Sequence, residues 1–342
     1  MKQDWLLVET LGDQPMVVAH GRQMKNFVPL AVFLRRNPNL AAIQSAITDT
    51  VTSAAGLASI TPKTNRVIRT EPVAMSDGRI HAVHVWCGPP DEEPPERPIP
   101  GPLKFDVTLA EGTGTVEYFI NAGMDAATER TTGRALADDM PNRSLNADEA
   151  KALSWSIDTA PGRTYSTTWE FTDKQGTFRR VGWCARTMME TVGDGTGHLI
   201  ARAMNLVEEV SGAPQPKVNL AQRILDGMSH PGVHRAIIDL NTWTPLKWID
   251  DPCPYFNWRG RVQLHPEDLS DIAGRMREEL NSGTTSAVLR LPGNDSDWIP
   301  LHVTISRVEL DEGITGGLVS VRLPTVDELG AASWAEAGEI NS

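Results

Sequence analysis

The sequence predicts an α+β protein built from three tandem domains, each an antiparallel sheet with helices packed on it. Three observations lead there. Tight-turn residues recur at Ser76-Asp77-Gly78, Asp173 to Gly176 and Pro292 to Asp295, and each group sits between β-rich stretches. Their centres, near residues 77, 175 and 295, lie about one small-domain length apart. Two breaks punctuate the chain. From Gly88 to Pro102, "GPPDEEPPERPIPGP" holds seven prolines and five charges, which fix φ, remove ladder donors and favour an extended connector. "SGAPQPK" from Ser211 to Lys217 is the second. The expected organisation is a first domain over 1–88, a connector at 89–102, a second domain over 103–210, a connector at 211–217, a third domain over 218–326 and a tail at 327–342.

In the first segment, apolar runs at Trp5–Leu11 and Met16–Ala19 read as strands, Leu40–Ser53 as a helix, and the Asp77-Gly78 turn closes a hairpin. The second segment reads as a strand around Thr115–Ile120, helices near Asp125–Leu136 and Ala147–Ile157, and a hairpin turning at 173–176. Within that hairpin Tyr165, Thr167, Trp169 and Phe171 alternate with Thr164, Ser166, Thr168 and Glu170, the period of a sheet with one buried face. Leu199, Ile200, Ala203, Met204 and Val207 follow at helical spacing. The third segment has a strand at His234–Leu240 and a return strand burying Ile299, Leu301, Val303 and Ile305. Between them, "HPEDLSDIAGRM" starts a helix: Pro266 suits the first position, Glu267 and Asp268 the first turn, and Leu269, Ile272, Ala273, Met276 and Leu280 the buried face. His265, Glu267 and Asp268 therefore read as a helix start rather than a reactive cluster.

The composition is that of an ordinary globular protein, with 40% hydrophobic and 22% charged residues in 342. A net charge of -12 argues against nucleic-acid partners, since a phosphate backbone calls for clustered Lys and Arg. The opening "MKQDWLLVETLGDQP" reads as neither a signal peptide nor a membrane span, so the expectation is a cytoplasmic protein without membrane insertion. Cys87, Cys184 and Cys253 are odd in number and far apart, which fits reduced thiols.

Catalytic patterns are sparse. His81 and His84 in "GRIHAVHVW" fall on a strand, where odd spacing sends the rings to opposite faces. The Gly-rich stretches "EGTGTVE" and "GDGTGH" lack the spacing of a dinucleotide or phosphate loop. No serine sits in a nucleophile elbow, and no cysteine lies in a flavin-attachment context. The expectation is no cofactor, no metal, no catalytic residues and no enzymatic activity.

The third segment resembles a PAS domain, through "WRGRVQLHPEDLSDIAGRM", the hairpin "TSAVLRLPGNDSDWIPLHVTISRV" and the last strand "GGLVSVRLP". Through "DWLLVETLGDQPMVVAHGRQ", "SITPKTNRVIRTEPVAMSDGRIHAV", "EPPERPIPGPLKFD" and "HLIARAMN" the whole chain resembles a mycobacterial and actinobacterial family of triple sensor-domain proteins, described as PAS, GAF and PAS in tandem. The resemblance implies three PAS/GAF-like domains and a sensor or scaffold without an attached output domain. It transfers no individual functional side chain.

One stretch carries a site hypothesis. In "NTWTPLKWIDDPCPYFNW", Trp243, Trp248, Tyr255, Phe256 and Trp258 fall within sixteen residues, stiffened by Pro245, Pro252 and Pro254. Such rings line a concave apolar site, close the core of a small sheet domain, or present a partner surface. The functional expectation is a signalling sensor or scaffold that binds a small-molecule ligand, a protein partner or effector, or both, and transmits its state through interfaces. The rivals are a small-molecule binding protein without a signalling role and an enzyme of unknown class.

Overall fold

The computed structural model describes residues 4–332 apart from 62, 141–146, 174, 210–222, 224, 226 and 296. The expected connector at 211–217 and residues 333–342 of the expected tail lie outside these residues.

Short β-rich runs separated by tight turns form three antiparallel sheets. The first contains β1 (Leu6–Glu9), β2 (Met16–His20), β3 (Gln23–Pro29), β4 (Leu57–Thr61), β5 (Arg66–Ala74) and β6 (Ile80–Gly88), with α1 (Leu30–Phe33) and α2 (Leu40–Ser53) inserted before β4. Its strand order is β3-β2-β1-β6-β5-β4. The second contains β7 (Gly101–Asp106), β8 (Glu111–Gly114), β9 (Thr132–Arg134), β10 (Thr164–Thr172), β11 (Phe178–Thr191) and β12 (Gly197–Val207). Helices α3 (Val116–Asn121), α4 (Leu136–Asp139) and α5 (Ala147–Ile157) interrupt it, and its order is β9-β8-β7-β12-β11-β10. In the third, β13 (His234–Ile238), β14 (Pro245–Trp248), β15 (Thr284–Pro292), β16 (Trp298–Asp311) and β17 (Ile314–Arg322) run in the order β14-β13-β17-β16-β15, with α6 (Pro266–Glu279) before β15 and α7 (Val326–Gly330) after β17.

The three sheets repeat one plan. In each, the opening strand sits in the middle against the closing strand, the next strand lies outside the opening one, and the last three strands form a meander. The third differs only in lacking the outermost early strand. The hairpins expected at 173–176 and 292–295 are the last-but-two and last-but-one strands of this plan, whereas the one at 76–78 joins the last-but-one strand β5 to the last, β6.

The chain divides into two compact units, one of Met1–Thr108, Gly112–Thr132 and Thr159–Gln215, the other of Leu109–Glu111, Gly133–Asp158 and Pro216–Ser342. In the first unit, strand alternation splits β1 cleanly. Leu6 and Val8 join Ile43, Ala46 and Ile47 of α2 in one core, while Leu7 joins Val18, Ala82, Cys184, Met204 and Leu206 in a second core between the first and second sheets. In the second unit, one face of the third sheet packs Ala236, Ile238, Leu301, Val303, Ile305 and Val319 against Ile272, Ala273 and Met276 of α6. Its other face, through Ile237, Leu246 and Leu318, packs against Leu153 of α5. Helices α4 and α5 precede β10 in sequence yet belong to the unit of the third sheet.

Four local expectations are corrected. Thr115–Ile120 is not a strand: Thr115 is an N-cap whose Oγ1 accepts from the Tyr118 amide at 3.3 Å, and α3 follows. The helix expected over Asp125–Leu136 is turns, β9 and only the start of α4. The helical spacing from Leu199 to Val207 is the central strand β12, paired with β11 and β7 and buried along both faces, so apolar residues fall on both faces beside the buried Arg202 and Asn205 and the period is uninformative. The connector expected through Pro102 ends earlier, since β7 starts at Gly101 and pairs Gly101 with Asn205. Upstream of it, Trp5 Nε1 donates to the Pro95 carbonyl at 2.9 Å.

Candidate functional site

The aromatic stretch folds around a sharp turn between β13 and β14. Asp239 organises it: its carboxylate accepts from the Asn241 amide at 2.9 Å and the Thr242 hydroxyl at 2.7 Å, and its carbonyl accepts from the Trp243 amide at 2.7 Å. This closure holds Trp243 at φ 61, a left-handed conformation that a bulky side chain rarely adopts and that costs on the order of 1–3 kcal/mol. One face of the Trp243 ring meets the Arg277 guanidinium of α6, 5.5 Å from the ring centroid.

A β-bulge then sorts the side chains of β14. Ile238 pairs with Pro245 but Ile237 pairs with Lys247, leaving Leu246 as the extra residue. Pro245 and Trp248 therefore turn to the α6 side of the sheet, and Leu246 and Lys247 both turn to the α5 side. On the α6 side the sheet and the loop after β14 leave an apolar cavity of about 40 Å³. Trp243, Trp248 and Phe256 line it, with Leu264, Val303 and Val319 among the aliphatic residues completing the wall.

The five sequence-predicted residues are brought into one neighbourhood but not into one role. Trp258 does not line the cavity; it packs edge-on against Trp248, with centroids 5.5 Å apart. Arg259 lies 4.3 Å over the Trp258 ring and is held by both carboxylate oxygens of Asp138 at 3.0 Å. Tyr255 sits at the margin of the core, edge-on to His234 at 6.0 Å. The indole N–H groups of Trp243 and Trp248 are buried and have no acceptor among the described residues. An unsatisfied buried donor costs roughly 1–3 kcal/mol, and the indole N–H groups of Trp169 and Trp183 in the second sheet share that condition among the described residues.

Sequence reasoning missed the pair behind the cavity. Lys247 is 1% exposed and Glu149 of α5 is 3% exposed, with Nζ 3.2 Å from the carboxylate. Burial pushes the Lys247 ammonium below its ordinary range, and the Glu149 carboxylate only partly opposes this. Lys247 was visible as a lone charge between Leu246 and Trp248; its partner, nearly a hundred residues away, was not.

The first unit contains a second polar centre with a different character. Arg202, with its side chain 3% exposed, donates to Glu190 at 2.6 and 2.8 Å, to Asp77 at 2.8 and 3.2 Å, and to Nε2 of His81 at 3.1 Å. Because Nε2 accepts, Nδ1 carries the proton and donates to the Ala203 carbonyl at 3.2 Å. All five guanidinium N–H groups are thus engaged, and the cluster is a closed junction rather than a receptor. Burial, with Arg202 alongside, pushes His81 down to about 4. His84 does not share this cluster; it meets Trp5 edge-on and burial pushes it down to about 3. The expectation of simple alternation fails at His81, since a register shift pairs Ala74 with Ile80 and Val73 with Ala82. Cys184 is buried and pushed up to about 12 by desolvation, so its thiol is inert. The helix-start reading of His265 holds, with its ring nitrogen accepting from the Glu267 amide at 3.4 Å, while Asp268 is buried and takes the Arg290 guanidinium at 2.6 Å.

Three family domains account for nearly the whole chain: Rv3651-like N-terminal over residues 4–96, Rv3651-like middle domain over 99–208 and Rv3651-like C-terminal domain over 218–332. The chain belongs to the Rv3651-like family. An uncharacterized protein from Mycobacterium tuberculosis, solved by crystallography, is 50% identical to this Rv3651-like chain, with 96% of this chain and 98% of that chain covered and a TM-score of 0.85. A sensory box histidine kinase/response regulator from Burkholderia thailandensis is 13% identical over 38% of this chain and 84% of that chain, with a TM-score of 0.22. An RNA-binding light-oxygen-voltage receptor is 10% identical over 65% of this chain and 94% of that chain, with a TM-score of 0.25. Likeness at those two scores carries no weight for the fold. No curated protein matches the Rv3651-like chain. Among its described residues, no helix is long and apolar enough to cross a membrane.

Proposed function

We propose that this Rv3651-like protein is a cytoplasmic sensor of three PAS/GAF-like domains, in which the C-terminal domain binds a small ligand and passes its state to a protein partner. The observation that carries the reading is the apolar cavity under the third sheet, lined by Trp248, Phe256 and a Trp243 held in a left-handed backbone conformation. A bulky residue held in a strained backbone conformation on a cavity wall is a feature that folds retain at binding sites.

Transmission is supported by what covers the other side of the same strand. Trp248 lines the cavity while its neighbour Lys247 holds Glu149 of α5, so a shift of β14 on ligand binding reaches α5 through one residue. The repeated strand plan of the three sheets supports three related sensor modules. A binding role, rather than turnover, is supported by the wall of the cavity, which contains no ionisable side chain.

The test is native mass spectrometry of the purified full chain, read for small molecules and protein partners in the same sample. The expected result is a stoichiometric small-molecule adduct, released on unfolding, and a partner whose capture changes when the adduct is removed. Conversion of candidate metabolites by the purified chain, with no retained adduct, would overturn the proposal.

A further inference from the structure

We infer that β4 is the interface of a weak homodimer, in which this outermost strand of the first sheet pairs antiparallel with the same strand of a second copy of the chain and makes one continuous sheet. The inference is independent of the cavity in the C-terminal domain and names a partner, a second copy of this chain.

A sheet edge exposes N–H and C=O groups that template a further strand, and folds protect such edges with charge, proline, bulges, short strands or a covering element. Each of the three sheets has two outermost strands, and all but β4 carry such a device. β3 carries Lys25 and an irregular register with β2, and the edge of β10 carries Glu170. β9 is three residues long and carries Arg134. β14 has Pro245, Lys247 and the bulge at Leu246. In β15 the Arg290 backbone is already engaged, its N–H by the Asp268 carboxylate at 2.6 Å and its C=O by the His265 amide at 3.1 Å. β4, Leu57-Ala-Ser-Ile-Thr61, contains no charge and no proline and pairs with β5 without a bulge. Ile60 in its centre is 63% exposed. Ala58, Ser59 and Ile60 have no hydrogen-bond partner outside β5 among the described residues.

Self-complementarity selects the second copy as the occupant. A two-fold axis normal to the sheet at Ser59 sets Ser59 opposite its own counterpart, Ala58 opposite Ile60 and Leu57 opposite Thr61, so the whole strand is paired. Opposed residues share a face, and Ile60 of each copy then lies beside Ala58 of the other, on the face that Val67 of β5 extends. Charge gives a second match. Lys63 stands just beyond the C-terminal end of β4, while the Glu71 carboxylate lies against Gly56, just before the N-terminal end, 2.7 Å from where a Cβ would stand. Both side chains are on exposed residues, and neither makes an ion pair among the described residues. Antiparallel pairing brings Lys63 of each copy to the Glu71 end of the other, twice by symmetry. A strand this short buries less than the roughly 1,200 Å² of a standard stable interface, so the dissociation constant should be on the order of 10–100 µM.

The experiment is sedimentation equilibrium of the full chain from about 5 to about 500 µM, a range that brackets such an affinity. It is run at about 0.15 M salt, which screens the repulsion between two chains of net charge -12. The wild-type chain should pass from monomer to dimer, and Ile60→Lys should stay monomeric with an unchanged melting temperature, because Ile60 is exposed in the single chain. Lys63→Glu and Glu71→Lys should each weaken association by about 3- to 10-fold, the effect of two exposed pairs, and the double exchange should restore it. Oxidation of Ser59→Cys should give a covalent dimer, since directly opposed strand residues lie within disulfide reach, whereas Thr52→Cys on α2 should give none. A wild-type chain that is monomeric throughout overturns the inference. So does a dimer that survives Ile60→Lys and leaves Ser59→Cys no more cross-linked than Thr52→Cys, because that dimer uses another surface. The charge exchange and the cross-link decide the matter should Ile60→Lys fail to fold.

Discussion

Replacing Lys247 by Met tests how the third sheet holds α5. Two unit charges 3.2 Å apart attract by about 5 kcal/mol at an effective dielectric of about 20. Taking both ions out of water offsets much of that attraction. The balance is visible in Lys247 itself, whose ammonium stays below its ordinary range despite Glu149, so desolvation is the larger effect. The pair is therefore costly to break and nearly neutral to replace. Lys247→Met alone takes the Lys247 ammonium away from a buried Glu149 and should cost about 3–5 kcal/mol; Lys247→Met with Glu149→Leu should cost under about 1 kcal/mol or stabilise. Glu149→Leu alone removes the carboxylate that opposes the effect of burial on the lysine, whose folded pKa lies below its unfolded value. The unfolded state then binds the extra proton, and the loss should shrink as pH rises from 7 toward 9. A chain of several domains does not unfold in one step, so the local readout is hydrogen exchange of α5 and β14 amides. Exchange in the Lys247→Met protein should speed up by roughly 10²- to 10³-fold at least, the equivalent of that energy. A single-variant cost under about 1 kcal/mol, or a double variant as damaged as the singles, would refute the reasoning.

Two further predictions concern the first unit. His81 and His84 are fully buried and held neutral, at about 4 and about 3, so both folded values lie below the ordinary 6.5. The unfolded chain binds more protons below pH 6.5, and stability should fall by about 1.4 kcal/mol per pH unit for each histidine as pH drops from 6.5 toward 4. Urea midpoints of this unit between pH 7 and 5 measure it; a flat profile, or a slope unchanged in His84→Phe, would contradict it. Gly101 opens β7 where a methyl group would come within 2.2 Å of the Tyr118 backbone and 2.5 Å of Asn205 Oδ1. Gly101→Ala should therefore lower the melting temperature markedly, whereas Gly193→Ala, with open space around it, should not.

The sequence read well where local chemistry and burial agreed. Pro266 after His265, Leu40 to Ser53 and the three turn groups were legible because capping, amphipathic period and turn residues act over a few positions. Reading failed where burial is set by distant partners. β12 is buried on both faces because β11, β7 and the first sheet surround it, and that environment erased the strand period. The capping by Thr115 was available as a Thr-x-Glu-Tyr signal but was outweighed by the β-rich letters around it. The site was legible as a concentration of rings. Its division was not: the bulge at Leu246, which separates Trp248 from Lys247, depends on the pairing with β13, and the left-handed Trp243 depends on Asp239 closing the turn. Glu149 could not have been matched to Lys247 without the packing of α5 on the third sheet.

The central claim is that the C-terminal cavity is occupied by a small molecule when the protein works. Val319→Leu adds one methylene to the cavity wall without removing a polar group, and cavity filling of this kind leaves a fold intact or gains about 0.5–2 kcal/mol. Native mass spectrometry of the wild-type and Val319→Leu chains, purified side by side, is the direct measurement. The account predicts a small-molecule adduct on the wild-type chain and its loss or sharp depletion on a Val319→Leu chain that melts no earlier. An adduct retained equally by both, or a wild-type chain that carries none, would contradict it.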